Sequence, residues 1–361
     1  MKIIIAQDFL RSGGTERQSV LLANAFSFAG HRVTLLTFRP GGPLSSTVSD
    51  AVNRVVLQRF DTHLDWFAPR LAPTVTTLQP DVILCMGRMA NCYGTTLEAA
   101  ARSDSSNTVV VGTMRTGRKL PWLFRQSLRN VSHVVANSRA AQTVLVREYD
   151  IPPGKISVIH NSLVFPANDG ETRNERLRAE HKASGDTRVL LDVAMFRPEK
   201  NQRELITIAA GLPANFPWQL WLAGDGPELN SCRKLAQSLS IADRVKFFGF
   251  MSDPAPLYAA ADLAVHASLS ESLSNFLIEA QAHGLPAVAY AAQGVEECFL
   301  PDDTGMAIPC GDQDAFRTAV QRFAGADPAR TARAREYARS TFDQDRQIQA
   351  YLEIFEQLTQ V

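Results

Sequence analysis

The stretch Ser268-Leu269-Ser270-Glu271-Ser272-Leu273-Ser274-Asn275-Phe276-Leu277-Ile278-Glu279-Ala280-Gln281-Ala282-His283-Gly284-Leu285-Pro286 carries the most structural information in the chain. An apolar run of strand length, Leu263–His266, ends just before it. Gly284 with Pro286 beyond it is a helix stop. The segment therefore reads as strand, loop and helix, with Ser274 and Asn275 at the helix N-terminus. Open parallel sheets bind ligands at the carboxyl ends of their strands, and helix starts there offer N–H groups to anions. The backbone N–H groups of Leu273, Ser274 and Asn275 can thus hold a diphosphate. Glu279 lies about a turn further in, its side chain leaning back toward the same end. A carboxylate there opposes phosphate, so its better use is to accept hydrogen bonds from hydroxyls. Glu271 is a second carboxylate in the preceding loop. Taken alone, the pair reads more readily as a capping acid and a surface acid.

The same alternation of short apolar runs and amphipathic stretches fills the chain, which argues for strand-helix-strand units and parallel sheets. The first half offers strands at Lys2–Gln7, Arg32–Thr37, Asp81–Met86, Thr108–Gly112, His133–Ala136 and Ile156–Ile159. The second offers Arg188–Val193, Trp218–Ala223, Val245–Phe248, Leu263–His266, Ala287–Tyr290 and Met306–Ile308. Between them the chain turns polar from Asn168 to Asn174, which marks a boundary. We expect a first domain over 1–166, a second over 167–342, and a C-terminal helix, 343–361, packing back on the first. At 361 residues two lobes are the default, because single cores stop growing below that length.

No apolar run reaches the ~18 residues that span a bilayer. The N-terminal run meets Asp8 at once and lacks a cleavage site, so it reads as a buried strand and the protein as cytoplasmic. Five scattered cysteines without a paired spacing read as reduced thiols. Net charge is zero, but residues 1–165 carry +8 and the remainder −8. A basic first lobe suits an anionic partner, either a phosphorylated acceptor or a lipid surface. Scattered arginines and the lack of a recognition module argue against nucleic acid, and none is expected as a partner. Residues 118–129, Arg118-Lys119-Leu120-Pro121-Trp122-Leu123-Phe124-Arg125-Gln126-Ser127-Leu128-Arg129, mix basic and bulky apolar side chains as interfacial helices do. A half-buried helix with solvated arginines fits the same letters. After the first strand, Gly13 and Gly14 let the backbone approach a phosphate at a helix start, or simply make a tight turn.

Glutamate, seven residues, glutamate, then Ala-x-Ala-x-Gly-x-Pro and a strand resembles the donor motif of the group 4 family of retaining glycosyltransferases. The likeness continues through Phe196-Arg197-Pro198-Glu199-Lys200-Asn201, Leu222-Ala223-Gly224-Asp225-Gly226-Pro227-Glu228 and Val245-Lys246-Phe247-Phe248-Gly249-Phe250. It reaches the first lobe more thinly, through Gly13-Gly14-Thr15-Glu16-Arg17, Ala136-Asn137-Ser138 and Val158-Ile159-His160-Asn161.

The resemblance implies the GT-B architecture, two Rossmann-like α/β lobes whose parallel sheets face each other across a cleft. It also implies retaining, hexosyltransferase-type transfer from a nucleotide sugar, most readily a UDP-sugar. The acceptor would be a glycan or lipid-linked molecule in bacterial polysaccharide or lipopolysaccharide synthesis, at the inner face of the cytoplasmic membrane. Glu279 would bind the ribose hydroxyls and Glu271 those of the donor sugar. Lys200 would neutralise the leaving diphosphate with the amides of Leu273, Ser274 and Gly14, and the base would lie near Gly249 and Phe250. No metal or other cofactor is implied, and Gly224-Asp225-Gly226 reads as a turn.

Two departures stand out. Met195 occupies the place of an arginine commonly found five residues before the lysine, and losing a guanidinium from a phosphate clamp removes on the order of 2–4 kcal/mol of transition-state stabilisation. Arg197 is the candidate substitute. A histidine common in the first lobe is also missing. In Thr113-Met114-Arg115-Thr116-Gly117-Arg118-Lys119, Arg115 can orient the acceptor or stabilise phosphate but cannot act as a base. His133 reads as a strand-edge residue and His160 as a packing one. The rival readings are a GT-B-fold sugar-nucleotide epimerase or hydrolase, which needs acid and base groups at the sugar C2, and a non-catalytic nucleotide-sugar binder.

Overall fold

The computed structural model describes residues 1–103, 107–163, 165, 173–183 and 185–360. The chain divides into two compact units, Met1–Ser162 with Gln344–Val361, and Leu163–Asp343. The expected boundary at 166/167 lies outside the described residues.

The first unit is built on seven strands, β1 (Lys2–Gln7), β2 (Arg32–Thr37), β3 (Asn53–Val56), β4 (Val82–Cys85), β5 (Val109–Met114), β6 (His133–Ala136) and β7 (Ile156–Val158). They lie in the order β3-β2-β1-β4-β5-β6-β7, and every pair is parallel. Helices cover both faces, so Ile4, Ile83 and Val110 enter one core while Ile3, Ile5 and Leu84 enter the other. This two-sided burial explains apolar runs without alternation. β3 was not foreseen from the sequence. It is an edge strand with Asn53, Arg54 and Val56 exposed, so it carries no apolar run to detect.

The helix Gln344–Thr359 belongs to this unit. Its Tyr351 and Phe355 rings pack edge-on against Phe26, with centroids 6.1 and 5.7 Å away. Burying each ring contributes on the order of 2 kcal/mol. The helix Trp122–Asn130 divides the apolar residues of 118–129: Phe124 and Leu128 are buried in the core, whereas Trp122 and Leu123 are 64% and 54% exposed.

The second unit holds β8 (Arg188–Val193), β9 (Trp218–Ala223), β10 (Val245–Gly249), β11 (Leu263–His266), β12 (Ala287–Tyr290) and β13 (Gly305–Ile308). Their order is β10-β9-β8-β11-β12-β13, again all parallel. The strand order reverses between β8 and β11. The loops leaving their carboxyl ends therefore flank the crevice where open α/β sheets bind ligands.

Candidate functional site

β8 runs out into Ala194-Met195-Phe196-Arg197, a short turn at Pro198–Lys200, and Asn201 at φ +54° before the helix Gln202–Ala210. A second loop clamps this one. Phe196 N–H donates to the Asp225 carbonyl (2.9 Å) and Glu228 N–H to the Phe196 carbonyl (3.0 Å). Gly224 and Gly226 sit at φ +138° and +151°, where an added Cβ would lie 2.0 Å from Ala194 O and 2.4 Å from Phe196 O. Only glycine permits that approach. Gly224-Asp225-Gly226 is thus a turn, with Asp225 Oδ1 accepting from Gly226 N–H at 2.7 Å.

From the clamped loop Lys200 reaches across to the 267–274 loop, its Nζ donating to Glu271 Oε1 at 2.5 Å. The same oxygen lies 2.7 Å from His266 Nε2, and His266 Nδ1 lies 2.7 Å from Asp192 Oδ1. Asp192 and His266 are each 1% exposed and Glu271 is 7%. Burial alone would push the Glu271 carboxyl up. The Lys200 charge and the hydrogen bond from His266 outweigh it and hold the group at about 2. Burial would likewise discharge His266, but its hydrogen bonds to Asp192 and Glu271 prevail and raise it above the ordinary histidine value.

The loop then turns into the helix Asn275–Ala282, capped by Ser274, whose Oγ accepts from Leu277 N–H at 3.5 Å. The helix thus starts at Asn275 with Ser274 as its cap and Leu273 just before it, and its positive N-terminal end follows directly on the loop whose Glu271 pairs with Lys200. One turn on, half-buried Glu279 accepts a hydrogen bond from the buried Tyr258 hydroxyl at 2.7 Å. The structure thus joins Lys200, Glu271 and the helix start in one unit and adds Asp192, His266 and Tyr258. Arg197 is half-buried on the same loop, three residues before Lys200. Gly249 ends β10 at φ +69°, its carbonyl accepting from Gly224 N–H at 2.7 Å, and Phe250 is 58% exposed beside it.

The remaining candidates lie in the first unit. Gly13 caps the helix Gly14–Phe28 at φ −74°, and the Glu16 carboxylate folds over it, 2.4 Å from where a Cβ would be. Arg115 uses one Nη on Asn161 Oδ1 and the other on the Tyr351 hydroxyl (2.7 Å), tying the C-terminal helix to the end of β5. His133 packs at the start of β6 with Nε2 3.0 Å from Ser157 Oγ.

Residues 12–163 match the family Glycosyltransferase Family 4, and residues 173–341 match Glycosyl transferases group 1. The chain belongs to the group 1 and group 4 glycosyltransferases. Within this family it is 31% identical over 180 residues to the lipopolysaccharide core biosynthesis glycosyltransferase LpsE of Rhizobium meliloti, covering 49% of this chain and 52% of LpsE. It is 28% identical over 223 residues to the D-inositol 3-phosphate glycosyltransferase of Corynebacterium glutamicum, covering 57% and 52%. The chain spans about half the length, or less, of the curated relatives it matches. Among solved structures, HepE of Anabaena in complex with UDP-glucose superposes with a TM-score of 0.81 at 23% identity, covering 99% of this chain and 100% of HepE. A Rickettsia africae glycosyltransferase gives 0.82 at 19%, covering 99% and 98%. These likenesses establish the GT-B fold.

Three site residues, Asp192, His266 and Tyr258, escaped the sequence reading. Asp192 had a signal, a charge inside the apolar run Val189-Leu190-Leu191-Asp192-Val193 of a doubly buried strand, which demands a partner. His266 had none until β8 and β11 were known to be neighbours.

Proposed function

We propose that the protein transfers a hexosyl group with retention from a nucleoside-diphosphate sugar, a UDP-sugar by preference, to a hydroxyl of a glycan or lipid-linked acceptor in bacterial surface-polysaccharide assembly. One observation carries the reading: Lys200, Glu271 and the start of the helix Asn275–Ala282 converge at the β8/β11 switch point, with Glu279 one turn behind. On this reading Lys200 and the Leu273 and Ser274 amides bind the diphosphate, and Glu279 the ribose hydroxyls. Glu271 accepts from the donor sugar, and the base rests near Gly249 and Phe250. The leaving phosphate takes the acceptor proton on the face from which the acceptor arrives, so the protein supplies orientation and charge stabilisation rather than a nucleophile. Arg197 adds positive charge to the diphosphate side. The UDP-glucose held by HepE and the lipopolysaccharide role of LpsE support the donor and acceptor classes. Neutralisation by Lys200 and a helix end needs no metal.

Among the described residues no helix is long and apolar enough to cross a membrane. The exposed Trp122 and Leu123 beside Arg118 and Lys119 support docking on an anionic bilayer at the cytoplasmic face.

Calorimetry with UDP, GDP, ADP, CMP and their sugar conjugates tests the donor reading. Wild type should bind one nucleotide series, and Glu279→Ala should lose most of that affinity. Binding by none of them overturns it.

A further inference from the structure

The imidazole of His266 is held between two carboxylates. Its Nδ1 is 2.7 Å from Asp192 Oδ1 and its Nε2 2.7 Å from Glu271 Oε1. A neutral imidazole carries one N–H and one lone pair, and a lone pair cannot hydrogen-bond to an ionised carboxylate. Two ionised carboxylates on the two ring nitrogens therefore require an imidazolium. With Lys200 on the same Glu271 oxygen, two cations and two anions sum to zero. Elsewhere around the ring lies Phe276, its centroid 5.4 Å away. The Cys232 and Cys298 thiols, which feel Asp192 and Glu271 respectively, are pushed up by burial and stay uncharged near neutral pH.

We propose that His266, kept protonated by Asp192, is a positioning residue that holds Glu271 ionised and fixed, so that Lys200 can leave it for the donor's diphosphate. The inference rests on the donor-site reading above. Its logic lies in how Glu271 is shared. Were Lys200 the sole partner, moving it would strand a buried carboxylate, which is strongly disfavoured. His266 keeps that carboxylate paired throughout. Among the described residues Asp192 Oδ2 is buried without a hydrogen-bond partner while Oδ1 faces the imidazole.

The test combines histidine NMR on the full chain with UDP calorimetry. In [15N]histidine-labelled wild type near neutral pH, both ring nitrogens of His266 should show imidazolium shifts, which Asp192→Asn should abolish. Lys200→Met should weaken UDP binding by about tenfold. His266→Gln should itself weaken it several-fold, and in that background Lys200→Met should cost less than about twofold, because the lysine is already locked on Glu271. A neutral His266 tautomer in wild type overturns the inference, and so do independent, multiplying effects of the two substitutions. If His266→Gln does not fold, the wild-type and Asp192→Asn spectra decide. Failure of the donor reading is seen separately, as wild type binding no nucleotide whatever the state of Glu279, and it removes this inference too.

Discussion

Tyr258 donates its hydroxyl hydrogen to Glu279 Oε2 at 2.7 Å while its ring stacks on His283, centroids 4.7 Å apart and planes within 10°. The aromatic pair fixes the tyrosine and the tyrosine fixes the carboxylate, so Glu279 is aimed before any ligand arrives. Tyr258→Phe keeps the stack and removes only that hydrogen bond, worth about 1 kcal/mol. Nucleotide affinity measured by calorimetry should fall about fivefold, against more than about tenfold for Glu279→Ala. Unchanged affinity in Tyr258→Phe would show that this hydrogen bond does not aim Glu279.

The buried ionic chain also sets how stability depends on pH. Glu271 is held at about 2 against an ordinary 4.5, so its contribution is complete above about pH 4.5 and disappears as pH falls toward 2. His266 is raised above its ordinary 6.5, so its contribution is complete below that value and fades as pH rises past its folded-state pKa. Thermal unfolding should show the difference between wild type and His266→Gln largest between about pH 4.5 and 6.5 and smaller on the alkaline side. A difference that grows with rising pH would contradict the assigned charge.

How much of this was legible in the sequence follows from what each feature depends on. The strands that form the two sheets announce themselves as apolar runs because both faces are buried, and β3 stayed silent because it sits exposed at an edge. The helix start at Ser274 was readable from its own residues, and the glycosyltransferase resemblance from the spacing of Glu271 and Glu279. The Asp192–His266 contact was not. Its partners are 74 positions apart and meet only because β8 lies next to β11, a fact of strand order rather than local pattern. The split of 118–129 into buried Phe124 and exposed Trp122 likewise depends on where the helix packs.

Glycine substitutions should rank by what a Cβ would meet. At Gly224 it would lie 2.0 Å from Ala194 O, whereas at Gly249, φ +69°, nothing lies within 4 Å. Gly249→Ala should cost about 1 kcal/mol of left-handed strain. Gly224→Ala must also push the Met195–Lys200 loop away, and should cost at least twice as much and weaken UDP binding. Denaturant unfolding alongside calorimetry separates the two, and equal costs would refute the clamp.

Arg115 spends both Nη groups on Asn161 and Tyr351 within the first unit. If its main work is to hold the C-terminal helix, Arg115→Ala should lower the melting temperature by several degrees, and Tyr351→Phe should reproduce part of that loss. Activity per folded molecule then separates anchoring from acceptor orientation. A large fall in kcat for Arg115→Ala with Tyr351→Phe unaffected assigns it to the acceptor.

Membrane docking makes the sharpest demand on the choice of variant, because only part of 118–129 is at the surface. Phe124 is 3% exposed and Trp122 64%, so replacing Phe124 with aspartate would disrupt the core and report folding. Trp122→Asp with Leu123→Asp changes only exposed side chains and puts two negative charges beside Arg118 and Lys119. A second exposed aromatic group, Phe60 and Trp66, sits on the loop after β3, braced by Arg39 paired to Asp61 and Asp65. Wild type should sediment with anionic liposomes at low salt, Trp122→Asp/Leu123→Asp should not, and neutral liposomes should retain neither. Loss of binding in Trp66→Asp but not in the 122/123 variant would move the contact to the β3 loop. Undiminished binding by both variants would remove these apolar residues from the contact and leave only the lobe's diffuse positive charge.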